Sequence, residues 1–347
     1  MKKMLNIGLL HGVLLSMLLS GAFAVEQATA VTTLSPVKAV AKKSVIVYTI
    51  KGDVEEKFNK MIKEQLKPIG FLAPDPRKGV NDVYNKQYGS TTLDSLAFMT
   101  IVEKKAIKPL LNIDPTIAAF SPFNLLSYKH KDKNETIISH LMPEAIFDML
   151  GTSNKEVMDA YTKSMDKIDA LVVKNFPEAK ISHKTYDKPA ADTMMNFEYD
   201  FKRPEKLMDF VDEIQEKVED TFEDKGYIMA GFFNFKEAFD GSDLLPQMDE
   251  FWTFSLCHFK YSFSIFDNVG ARPEAAVFAP CTMYMYIQKN TNKLVVGMPR
   301  LQNWLTMFNI TDKTRVEKNQ KLDAEIVEIF KSMGFKEVES TTYTPTK

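Results

Sequence analysis

What most limits how this chain can fold is that it is written twice. Pro115-Thr116-Ile117-Ala118-Ala119-Phe120-Ser121-Pro122 aligns with Pro273-Glu274-Ala275-Ala276-Val277-Phe278-Ala279-Pro280. Each copy continues into a strand, a polar hairpin turn and a second strand, with turns at residues 131–135 and 289–293. Met142-Pro143 and Met298-Pro299 follow, where Pro suits the first turn of a helix. Earlier in each copy, residues 46–51 and 197–202 alternate apolar and polar side chains as half-buried strands do. Each leads into an amphipathic helix. Val54, Phe58, Ile62 and Leu66 mark one core stripe, and Leu207, Val211, Ile214, Val218 and Phe222 the other. Both helices stop at a Gly, Gly70 and Gly226, where a left-handed cap costs little. A last amphipathic helix closes each copy, lined by Met158, Tyr161, Met165, Ile168 and Val172 and by Val316, Ile326, Ile329 and Phe330. Strands joined by hairpins and flanked by helices predict the α+β class: two tandem antiparallel-sheet-plus-helices domains related by internal duplication.

Composition sets the boundaries. Residues 1–24 read as a signal peptide, with Lys2 and Lys3, an apolar run to Leu19 and Ala22-Phe23-Ala24 before a cut ahead of Val25. Residues 25–44 read as a flexible tether, 45–176 as the first domain, 177–195 as a linker, 196–338 as the second domain and 339–347 as a tail. The leader predicts a periplasmic or secreted product with no membrane segment after cleavage, since no later stretch reaches the roughly 20 apolar residues of a span. The formal charge of -2 gives no basic surplus for nucleic acid.

The order of strand, helix ending in Gly-aromatic, strand, Pro-x-x-Ala and then Pro-Cys before a hairpin resembles the domain-of-unknown-function 302 (DUF302) family. In the second copy the matching residues are Asn268, Pro273, Ala276, Pro280, Cys281 and Tyr286. The first copy has Asn112, Pro115, Ala118, Pro122 and Tyr128, with Phe123 in place of the Cys. The resemblance implies a small α+β fold that pairs with itself, so that two tandem copies pack on each other as a covalent pair. It brings no established activity.

The chemistry-bearing residues are few. Cys257 and Cys281 are the two cysteines. A disulfide, a pair of buried thiols and a thiol or soft-metal site all remain open for them in an oxidising compartment. Read as a strand, residues 257–263 place Cys257 on one face with Phe259, Tyr261 and Phe263, and His258 on the other. Cys281, Met283 and Met285 share a strand face and form a soft-sulfur set of the kind Cu(I) takes. The first copy has Phe123, Leu125 and Ser127 there, which favours packing. His130, opposite Thr136 in the expected hairpin, is too far from His140 to share a metal. No zinc spacing, phosphate loop or nucleophile elbow occurs, and no cofactor is expected.

Two long loops are expected at equivalent places, a polar one at residues 73–92 and another at 230–250, and loops of that length are often functional. The second carries Phe232, Phe233, Phe235 and Phe239, which read as cover for an apolar ligand. Asn268 is a candidate to place its amide beside the same pocket. The reading is a non-catalytic module that binds a small ligand or a protein partner. A periplasmic thiol or soft-metal protein is the alternative, and specific chemistry is expected in the second copy.

Overall fold

The hairpins and alternating segments resolve into two six-stranded antiparallel sheets. The computed structural model describes residues 41–239, 245–268, 270–340 and 343. The expected leader and most of the expected tether lie outside them. The first sheet holds β1 (Lys42–Lys51), β2 (Phe71–Arg77), β3 (Leu93–Glu103), β4 (Phe123–His130), β5 (Glu135–Leu141) and β6 (Lys180–Tyr186) in the order β2-β3-β4-β5-β1-β6. The second holds β7 (Met194–Asp200), β8 (Ile228–Asn234), β9 (Met248–Cys257), β10 (Cys281–Gln288), β11 (Lys293–Pro299) and β12 (Lys336–Glu337). Its order, β8-β9-β10-β11-β7-β12, repeats the first position for position.

The helices follow the same plan. The first half carries α1 (Glu55–Gln65), α2 (Val80–Tyr88), α3 (Lys104–Ile113), α4 (Pro143–Leu150) and α5 (Lys155–Asn175). The second carries α6 (Leu207–Glu223), α7 (Phe235–Ala238), α8 (Phe259–Phe266), α9 (Gln302–Met307) and α10 (Lys313–Ser332). The expected stripes are the buried faces: Phe58 and Ile62 on α1, Val211, Ile214, Val218 and Phe222 on α6. Gly70 and Gly226 take positive φ after α1 and α6, the conformation that let Gly be read as a stop.

Strand register corrects the sequence alignment by two residues. Phe123 opens β4 as Cys281 opens β10, each after a cis X-Pro bond. Leu126 pairs with Ser139 as Tyr284 pairs with Gly297, and Tyr48 with Ile138 as Phe197 with Val296. Tyr48 therefore corresponds to Phe197 and His140 to Met298. The recurring Met-Pro dipeptide is not equivalent either. Pro143 begins α4, whereas Pro299 is the last residue of β11 and the next helix starts at Gln302.

Three further expectations change. Residues 180–186, inside the expected linker, form edge strand β6, which pairs with β1. Both long stretches carry regular structure, with β2 and α2 in residues 73–92 and β8 and α7 in residues 230–250. Residues 259–266 are helical, so the strand face proposed for Cys257, Phe259, Tyr261 and Phe263 does not exist. His258 caps that helix instead, its ring accepting from the Tyr261 N–H at 3.3 Å.

The two halves interlock. The turn of 3₁₀ helix at Pro273–Phe278 lies on β4 and β5, and its counterpart at Pro115–Phe120 lies on β10 and β11. Asn124 donates to the Ala276 carbonyl at 2.7 Å while its own carbonyl accepts from the Met99 N–H at 3.0 Å. The buried Asp267 carboxylate accepts from the Thr92 N–H at 2.6 Å, the Thr92 hydroxyl at 2.7 Å and the Thr91 hydroxyl at 2.5 Å. Tyr88 of α2 stacks on Phe263 of α8 at 4.4 Å. With helices on one face and the other half on the opposite face, β4 and β10 are buried on both sides. Continuous burial replaces simple alternation for that reason.

Candidate functional site

A cavity of about 240 Å³ lies where the two halves meet. The first half supplies Arg77 and Lys78 at the end of β2, Val80 and Val83 on α2, and Phe98 on β3. The second supplies Ile228, Met229 and Ala230 of β8, with Cys257, Phe259 and Pro280. Among the described residues the wall is apolar apart from the Cys257 thiol, the backbone and the two cations, which are exposed.

The backbone explains why space opens there. β2 and β8 are the outer strands of their sheets, and each is irregular: the register slips between Leu72 and Asp75 and between Met229 and Gly231. Bulges of this kind bend an edge strand and release a residue from the ladder. Ala230 is the released residue in β8. Its carbonyl is taken by Arg77, whose Nη2 donates at 2.6 Å and Nε at 3.1 Å, a latch between the two halves.

Cys257 and Cys281 are both free thiols. Of the readings open for the pair the structure carries two thiols, and register describes how they stand to each other. Cys281 pairs with Leu256, so Cys257 stands one residue along and the pleat directs neighbours to opposite faces. Burial pushes the Cys257 thiol up to about 11, against a hydrogen bond with Ser262 and the charge of Arg77, which lower it. Burial pushes the Cys281 thiol up still further, with the nearby Cys257 and Asp323 adding to it. His258 is shifted down, first by burial. A raised thiol beside a lowered imidazole gives two neutral groups rather than an activated thiolate. Met283 and Met285 are fully buried in β10, which fits packing. Among the described residues no cluster of three His, Cys, Asp or Glu has the geometry to hold a metal ion.

The four aromatic residues proposed for ligand contact are not brought together around the cavity. Phe235 and Phe239 are buried, with Phe235 packed 5.0 Å from Phe251. They anchor α7 to its own sheet. Phe232 is 44% exposed and rests on Phe254, while Phe233 meets Phe235 edge-on. Asn268 is exposed in a turn, its carbonyl accepting from the Ala271 N–H, and is not among the cavity's lining residues. Sequence reading missed Arg77, Phe98 and Ile228. The available signal was the adjacent pair of cations inside the 73–92 stretch.

A buried polar cluster was also missed. His140 Nε2 lies 2.8 Å from Asp169 Oδ1, and the Tyr48 hydroxyl donates to the same oxygen at 2.5 Å. Burial alone would raise the Asp169 carboxyl, but His140 and Tyr48 outweigh it and the carboxyl is lowered. The other half shows that the fold does not need this cluster, because Phe197, at the place of Tyr48, stacks on Phe330 of α10 instead. The hairpin register moves too: Thr136 faces Lys129, one residue from the expected His130.

Comparison with known proteins gives little beyond this. No family profile matches the chain, and no curated protein does. Among solved structures, one neighbour is "uncharacterized conserved protein DUF302 from Bacillus stearothermophilus", at 16% identity and a TM-score of 0.30. The match covers 39% of this chain and 94% of that one.

Proposed function

We propose that the protein is a binding module for a small, mainly apolar molecule, held in the cavity between β2–α2 of the first half and β8–α8 of the second. The apolar wall of the 240 Å³ cavity carries this reading. Pockets for small molecules are apolar with a few placed polar groups, and this one has that make-up. The cavity that holds benzene in an engineered protein core measures about 150 Å³, or roughly 25 Å³ per ligand atom. On that scale the present cavity takes about ten non-hydrogen atoms. A ligand of that size binds with a Kd on the order of 0.1–1 mM.

Phenylacetamide, a neutral molecule of the right size, is a direct probe. The Cys257 thiol lines the cavity, so an occupant shields it from alkylation. The expected result is that phenylacetamide slows alkylation of Cys257 and raises the melting temperature, and that Val83→Trp, which fills the space, abolishes both effects. Normal alkylation at saturating probe would sink the reading.

We further read the two halves as tandem DUF302-like domains and the product as exported. The repeated sheet order and the sequence motifs support the first part, and the 1–24 leader motif the second. Recovery of the protein outside the cytoplasm with Val25 as its first residue is the expected outcome; a retained Met1 inside the cell would refute export.

A further inference from the structure

The two sheets repeat each other strand for strand but differ in size at one edge. β6 lies outside β1 as β12 lies outside β7, yet β6 is seven residues long and β12 two. Among the described residues no strand pairs with the outer side of β6, and residues 180–185 are all exposed. Such an edge leaves every second N–H and C=O of the strand without a ladder partner, a template for another extended chain. We infer that β6 docks an extended acidic segment of a partner protein, which joins the sheet as a seventh strand.

Charge decides the occupant. Lys180 and Lys184 are the charged residues of β6 apart from His183, and Lys43 of β1 stands beside Thr185. Lys184 has a carboxylate within reach, that of Glu274 at 3.8 Å, which Arg272 also holds at 2.7 Å. Glu178 and Asp187 flank the strand and do not belong to it. A second copy set edge to edge would bring two cationic strands together, and edge lysines are a common guard against that pairing. An acidic strand instead gains cross-strand pairs of opposite charge. No cationic edge recurs in the second half, where β7 carries Glu198 and Asp200 and β12 carries Lys336 and Glu337.

The pleat sets the pattern of the partner. Lys180, Ser182 and Lys184 share one face of β6, and Ile181 and His183 the other. Ile181 pairs with Tyr48, whose hydroxyl donates to Asp169 of α5, so this second face is the α5 side. Ile181 is 51% exposed there. The docked segment therefore alternates acidic residues toward the lysines with β-branched apolar residues toward Ile181.

The probe is the end-blocked peptide Thr-Glu-Val-Glu-Val-Glu-Thr, with Thr-Lys-Val-Lys-Val-Lys-Thr as its charge-reversed control. Hydrogen exchange on the full-length mature protein should show residues 180–186 gaining protection when the acidic peptide is added. Fluorescence anisotropy at low salt should give the acidic peptide about tenfold tighter binding than the control, and salt should shrink that ratio. Lys180→Glu with Ser182→Glu leaves the Lys184–Glu274 contact in place and should reverse the preference, an outcome that a misfolded variant does not give. Equal affinity for the two peptides, no binding of either, or protection confined to residues outside 180–186 overturns the inference. Protection of 180–186 by self-association of the protein alone also overturns it.

Discussion

Asp267 is where the union of the two halves is most open to test. It lies in the second half, is 1% exposed, and its carboxylate accepts three hydrogen bonds from Thr91 and Thr92 of the first. Bonds to a charged group contribute about 1.5–3 kcal/mol each, and three on one carboxylate do not add fully. Asp267→Ala removes all three and leaves the Thr92 N–H without its acceptor. The expected loss is about 4 kcal/mol, a fall of roughly 1 M in the urea midpoint. The chain has two tryptophans, Trp252 and Trp304, both in the second half. Their fluorescence follows that half alone, while far-ultraviolet circular dichroism follows both. If the interlocked turns make the halves one cooperative unit, both signals shift by the same amount. A loss under about 1 kcal/mol, or a shift in circular dichroism without one in fluorescence, would refute the reasoning.

Other outcomes follow from single sites. Because the Asp169 carboxyl is lowered in the folded protein, it stabilises above the ordinary carboxylate pKa and that contribution is lost as pH falls through the folded value. Asp169→Asn should therefore cost about 2 kcal/mol at neutral pH, with the difference in thermal melts closing only below about pH 4; a difference that closes between pH 5 and 7 would contradict this. A Cβ on Gly297 falls 2.1 Å from the Tyr284 ring, so Gly297→Ala should cost about 3 kcal/mol, and shortening position 284 to Leu in the same chain should recover part of it. With Cys257 raised to about 11, its alkylation rate in the folded protein should climb through pH 8–10 without levelling. Cys281 should react only after unfolding, and a plateau for Cys257 below pH 9 would show an activated thiol.

The sequence by itself determined the doubled architecture, because periodicity and punctuation are local. The stripes on α1 and α6, the glycine stops and the Pro-x-x-Ala segments are each readable from residues close together in the chain. What it could not supply was anything depending on which surfaces meet. The continuous burial of β4 and β10 comes from the other half lying on them. The helix at Phe259–Phe266 reads equally well as an aromatic strand until His258 caps it and α2 packs against it. His140 looked like a stray histidine in a hairpin, because its partners Tyr48 and Asp169 lie 92 and 29 residues away along the chain. The cavity is the extreme case. Arg77 and Ala230 are 153 residues apart, and only the meeting of two bulged edge strands sets the guanidinium against that carbonyl. Local chemistry wrote the elements; long-range packing decided where a ligand has room.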